Sequence, residues 1–174
     1  MRWEFQADGR AVLPSSYIVL DEETSGLDAD SELLSIEACR VCGGNIEEHF
    51  SAVFRPKRTV RSWVLPLIGL TEDALSQGGD QDMVLHDFFG WADDHPFIVW
   101  KLDFLLRFLP LSAERCYEMM ELIAGTPYAQ GRRNPKLSAI WEQCMGEPLD
   151  RKQSTSVDTL SIPLPVLADC RRQF

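Results

Sequence analysis

The sequence lacks any long apolar run. The longest near-continuous one, Val64 to Leu70, is far too short to cross a bilayer. It also lacks a secretory-type opening. Met1-Arg2-Trp3-Glu4-Phe5 carries an acid where a leader needs an apolar stretch. Together these absences predict a soluble, cytoplasmic protein with no membrane partner. Positive charge is scarce too. Seventeen Lys and Arg stand against 27 Asp and Glu, a net charge of −10. That argues against sequence-independent binding of nucleic acid through a basic surface. A site built from carboxylates, however, adds negative charge that bound metal ions cancel. The few cations cluster at Arg55, Lys57, Arg58 and Arg61, and again at Arg132, Arg133 and Lys136. Each cluster reads either as a phosphate contact or as a solvated loop.

Pairing partners for the cysteines are lacking as well. There are five, an odd number, which in a chain without a leader fits reduced, mostly buried thiols. Cys39-x-x-Cys42 followed by Gly43-Gly44 is half of a zinc knuckle, but no second Cys or His pair follows. The segment also reads as a strand, on which positions three apart face opposite sides. Free thiols are therefore the expectation. No internal repeat, low-complexity tract or long linker divides the chain, and its 174 residues suit one domain that folds without cross-links.

What is present is a sequence of strands followed by helices. Residues 1–16 read as an N-terminal extension with a small hairpin about Ala7-Asp8-Gly9-Arg10. Tyr17-Ile18-Val19-Leu20 has no polar alternation, so it reads as a strand buried on both faces. Leu33–Val41 and Ile46–Phe54 are two more strands, joined by a turn at Cys42-Gly43-Gly44-Asn45. Thr71 is placed to cap a helix, and apolar spacing predicts a helix across Asp82–Asp93. Phe97–Trp100 is a short strand after His95-Pro96, and helical patterns follow at about 103–109, 113–124 and 136–145. The order predicts one α/β sandwich.

Chemistry concentrates where the first strand ends. Asp21 and Glu23 stand two apart, so on a strand they share a face. Two carboxylates side by side repel and are costly to desolvate, and a hard divalent cation removes both penalties. The alternative is a strand running out into an acidic turn, with Gly26 supplying the bend.

Asp21-Glu22-Glu23-Thr24-Ser25-Gly26-Leu27 after an apolar strand resembles the first motif of the DnaQ-like 3′–5′ exonucleases, D-x-E-T-[TS]-G-L. Leu33–Ala38 is similar to that family's second strand, and Phe54-Arg55-Pro56 with Ile68-Gly69-Leu70-Thr71 to its P…I-x-G-I-T segment. The resemblance implies a ribonuclease-H-like α/β fold: a mixed sheet of three antiparallel strands and then parallel strands, flanked by helices. It implies four acidic ligands for two Mg²⁺ or Mn²⁺ ions and a general base. Asp21 and Glu23 take the first two positions. Asp103, after the Phe97–Trp100 strand, is the candidate third, although a competing register pairs Phe104-Leu105 with the family's F-D and leaves no ligand there. Asp103 also reads as the cap of the helix that follows. Asp158 is the candidate fourth, in Gln153-Ser154-Thr155-Ser156-Val157-Asp158, which keeps the H-x-A-x-x-D spacing. Thr155-x-x-Asp158 is equally a helix-capping pattern. Gln153 stands at the general-base position, where it can orient water but not take its proton near neutral pH. Pro163 and Pro165 would cut short the helix after Asp158. Thr24, Ser25, Gly26 and Leu27 of the motif are the expected contacts to a single-stranded DNA or RNA 3′ end, with Arg132 and Arg133 of the second basic cluster as phosphate contacts. The expected activity is metal-dependent 3′–5′ exonuclease cleavage, slowed by the missing base. The alternative is a catalytically degenerate module of the same fold that binds nucleic acid or a protein.

Overall fold

The computed structural model describes residues 1–124, 126–129, 136–149 and 164–169. Tyr17–Leu20 is almost wholly inaccessible and lies within β1 (Ser16–Thr24). β2 (Leu33–Cys42) and β3 (Asn45–Val53) follow, each antiparallel to its predecessor. Their tight connection works because Gly43 and Gly44 both adopt positive φ, 56° and 84°, the backbone that a two-residue hairpin with native twist needs. β4 (Phe97–Val99) then pairs parallel to β1, through Ile18↔Phe97, Val19↔Ile98 and Leu20↔Val99. β5 (Cys116–Glu118) adds a second parallel pair. The sheet order is β3-β2-β1-β4-β5, so β1 is central, as its unbroken apolar run predicts.

Helices cover both faces. On one, α3 (Gln81–Ala92) and α4 (Leu102–Leu105) bury Leu85, Phe88 and Leu105 against Ile18, Leu20 and Ile36. On the other, α5 (Met119–Ala124), α6 (Leu137–Met145) and α7 (Leu164–Asp169) pack Met119, Leu122, Ile140 and Leu167 against Tyr17, Val19 and Cys39. Two short helices, α1 (Leu65–Ile68) and α2 (Glu72–Gln77), sit beyond β3 over a smaller core of Leu34, Leu65 and Leu75. Thr71 caps α2 through its hydroxyl, which accepts from the Ala74 amide at 3.1 Å. The N-terminal extension turns at residues 6–10, with a bridge between Phe5 and Ala11. Trp3 and Ala11 join the α5–α7 core.

The structure corrects three expectations. The predicted helix over 113–124 is instead a 3₁₀ turn (Ala113–Arg115), then β5, then α5. Parallel pairing of Cys116 with Phe97, and the complete burial of Cys116, outweigh the local helical spacing. The helix over 103–109 is regular only across Leu102–Leu105, with tighter turns to Leu109. Asp103 is not its cap: Lys101 holds that position without a side-chain cap bond, and Asp103 lies in the first turn. Cys39, Cys42, Cys116 and Cys144 are free thiols as expected.

Candidate active site at the end of the central strand

Acidic residues are poor strand formers, yet β1 continues through three of them. Pairing with β2 carries it: Asp21↔Glu37, Glu22↔Ile36 and Glu23↔Ser35. A register shift at Glu23/Thr24 ends the regular ladder. On the other side β4 accompanies β1 only as far as Leu20, opposite Val99. From Asp21 onward that flank of β1 has no strand partner among the described residues. Asp21 and Glu23 therefore stand just outside the carboxyl end of a parallel pair, where open α/β sheets form their binding crevices.

Both carboxylates lie on the α5–α7 face, in register with Tyr17 and Val19. They line a cavity of about 140 Å³ together with Glu37 and Ser51, and with the Ile68–Leu70 turn as a wall. Gly69 makes that turn, with φ 71° at the end of α1. Asp21 and Glu23 on one face offer hard carboxylate oxygens of the kind that suits Mg²⁺ or Mn²⁺. Asp21 and Glu23 would hold such an ion, and Glu37 stands opposite Asp21 in the β1–β2 register. Among the described residues, no group of three acids, histidines or cysteines is gathered closely enough to complete a metal cage.

Glu22 points to the opposite face. Burial, reinforced by the charges of Asp21 and Glu23, pushes its carboxyl up to about 8. Asp103 is exposed on α4. Its charge, after burial, helps raise the Glu118 carboxyl above the usual range, while a hydrogen bond from the Leu102 amide opposes the shift. Leu105, at the Asp position in the competing register, is fully buried. The structure thus joins Asp21 to Glu23 and Asp103 to Glu118. Gln153, Asp158, Arg132 and Arg133 lie outside the described residues.

The loop after the acids is tied from three sides. Thr24 is buried and donates its hydroxyl to the Gly26 carbonyl at 2.8 Å. Ser25 closes the loop base, its amide donating to the Glu32 carbonyl and its hydroxyl accepting from the Glu32 amide, both at 2.9 Å. From the turns that follow α4, Arg107 donates to the carbonyls of Leu27 and Asp28 at 3.0 and 2.8 Å. Its guanidinium lies over the Phe104 and Phe108 rings, 5.5 and 5.4 Å from their centroids. Glu37, Glu118 and Arg107 were not legible as site residues. Glu37 is revealed by cross-strand register and Arg107 by contacts 79 and 80 positions away. The one local hint for Arg107 was its place between two aromatic residues of the motif segment.

Residues 18–129 match the exonuclease family RNase_T. That span exceeds half of the 174 residues, and the chain belongs to this exonuclease family. It is 29% identical over 116 residues to the PolC-type DNA polymerase III of Bacillus subtilis, a match covering 66% of this chain and 8% of the polymerase. With the PolC-type enzyme of Thermotoga maritima it is 30% identical over 98 residues, covering 56% of this chain and 7% of the enzyme. The chain thus spans less than a tenth of these relatives' length. Among solved structures, the nuclease domain of 3′hExo bound to rAMP superposes with a TM-score of 0.68 at 15% identity, covering 92% of this chain and 96% of that one. Exonuclease X with 5′-overhanging duplex DNA gives 0.67 at 16% identity, covering 87% and 90%. These likenesses confirm the ribonuclease-H-like fold: three antiparallel strands, then parallel ones, between helices.

Proposed function

We propose that the chain is a divalent-metal-dependent 3′–5′ exonuclease acting on single-stranded DNA or RNA ends, with residues 1–174 as a single working domain. The observation that carries this reading is the placement of Asp21 and Glu23 on one face of the central strand, beyond the point where β4 stops and lining a cavity. In the proposed site Asp21, Glu23, Asp103 and Asp158 hold two Mg²⁺ or Mn²⁺ ions. When bound, such ions lower the pKa of the attacking water and stabilise the leaving oxygen. Thr24–Leu27 seat the terminal nucleotide, and the Arg107-held backbone keeps Leu27 in position. Arg132 and Arg133 meet the phosphates. Gln153 orients water by hydrogen bonding without accepting its proton.

The second reading is a binding module that has lost catalysis. Asp103 sits exposed beside Glu118, while Leu105 is buried at the competing Asp position. The decisive experiment measures degradation of 3′-ends on labelled single-stranded DNA and RNA with Mn²⁺. Wild type should cleave slowly and faster at higher pH, as hydroxide substitutes for the missing base. Gln153→His should gain ~10-fold or more, and Asp21→Ala should be silent in both backgrounds. Metal binding without cleavage by wild type or Gln153→His would establish the second reading.

A further inference from the structure

The Ser25–Leu27 loop is also one wall of a separate, larger cleft, about 440 Å³, whose opposite wall is the 58–63 segment. Two large apolar side chains are held in water on its rim: Leu27 is 76% exposed and Trp63 is 60% exposed. A lone exposed apolar residue is ordinary. Two lining one cleft beside the Asp21–Leu27 motif form an apolar rim.

The walls are built as a unit. The Glu32 carboxylate accepts the backbone amides of Lys57 and Arg58 at 2.9 and 3.0 Å, so its charge is engaged within the wall. Arg58 is paired across the loops with Asp30 at 3.5 Å. Arg61 differs. It lines the cleft, is exposed, and makes no side-chain hydrogen bond or ion pair with the described residues. In a chain of net charge −10 a cation left over at such a rim is well placed for an anion. Asp28 also faces the cleft, so apolar stacking rather than charge must supply most of the binding.

We propose that this cleft is a subsite for single-stranded nucleic acid. It takes a nucleotide upstream of the 3′-terminal one, with the base against the Trp63 indole and its phosphate at Arg61. The inference rests on the exonuclease reading and specifies its substrate. A base held in a duplex offers no free face to the indole, so the site selects unpaired ends. Every base has a π face, so it selects no sequence.

The test uses the full chain and short 5′-labelled oligothymidylate and oligouridylate, with Ca²⁺ replacing Mg²⁺ to hold back cleavage, read by fluorescence anisotropy. Trp63→Ala should weaken binding about tenfold and Trp63→Phe much less. Arg61→Ala should weaken it less and flatten the dependence of log affinity on log salt by about one. Circular dichroism checks the fold, and because Arg61 is exposed, its variant keeps the test open should Trp63→Ala misfold. Turnover of the p-nitrophenyl ester of thymidine 5′-phosphate, too short to reach the cleft, should be unchanged in both. Wild-type affinity in both Trp63→Ala and Arg61→Ala overturns the subsite. If the small ester is still cleaved in that case, the exonuclease reading survives. Weakened oligonucleotide binding without cleavage of any substrate supports the subsite and removes the enzyme. Binding of neither oligothymidylate nor oligouridylate by wild type overturns the subsite and leaves the cleft to a protein ligand, and the exonuclease reading then stands or falls on cleavage of the small ester.

Discussion

The two halves of β1 are one strand in one register, and they do opposite work. Tyr17–Leu20 has β2 along one edge, β4 along the other from Ile18 onward, and helices on its faces. Asp21–Glu23 keeps the β2 edge and loses the β4 edge, because β4 ends at Val99. Four apolar residues inside a five-stranded sheet anchor the next three in an environment that charged residues would not choose. The strand's stability is generated in its first half and spent holding carboxylates together in its second.

The largest expected effect breaks the acid half. Asp21→Ala should bring 3′-end degradation to background, yet leave the metal-free melting temperature equal or higher, since like charges are relieved. Calorimetry in chelator alongside the nuclease assay checks both sides; a large loss of stability would mean that Asp21 is structural. Breaking the apolar half should do the reverse. Leu20 is completely buried, so Leu20→Ala should cost ~2–5 kcal/mol and lower the midpoint by roughly 5–15 °C. Activity per folded molecule at low temperature should persist.

A smaller effect sharpens the boundary between the halves. Arg107→Ala frees the carbonyls of Leu27 and Asp28. KM for an oligonucleotide should rise several-fold with kcat little changed. Arg107→Lys should not restore it, because an ammonium lacks the planar fork that reaches two carbonyls while lying over two rings. Equal falls in kcat and kcat/KM would instead place Arg107 in the chemistry.

The fourth effect is a pH dependence of stability. Glu22 has its carboxyl raised from 4.5 to about 8, burial being the first cause. A carboxyl with a raised folded pKa contributes its full stability below the unfolded value and loses it as pH climbs through the folded one. Glu22→Gln cannot ionise. In chelator, its advantage in melting temperature over wild type should therefore grow from about pH 4.5 to about pH 8 and level off above. An advantage that does not vary across this window would show that Glu22 is not held neutral by its surroundings.

Much of this is legible in the sequence. The apolar run at Tyr17–Leu20 marked the central strand, Gly43-Gly44 its hairpin neighbour, and Asp21-x-Glu23 a shared face. Each is a local rule acting over a few residues. β5 was not legible, because three residues carry too little periodicity and Cys116 takes strand geometry only from Phe97 beside it. Asp103 as a helix cap failed because α4 begins at Leu102, with Lys101 at the cap position, two residues before Asp103.

The sequence by itself determined that two carboxylates sit side by side at the end of a buried strand, since a period of two needs only the strand to exist. It also determined the strand-then-helix order and the family likeness. Only the tertiary structure decided what surrounds those acids: Glu37 opposite Asp21, Asp103 beside Glu118, and Arg107 gripping the loop from α4. The physical reason is range. Propensity and alternation act within a few residues, whereas sheet register and long side chains join positions that are neighbours only once the chain has folded.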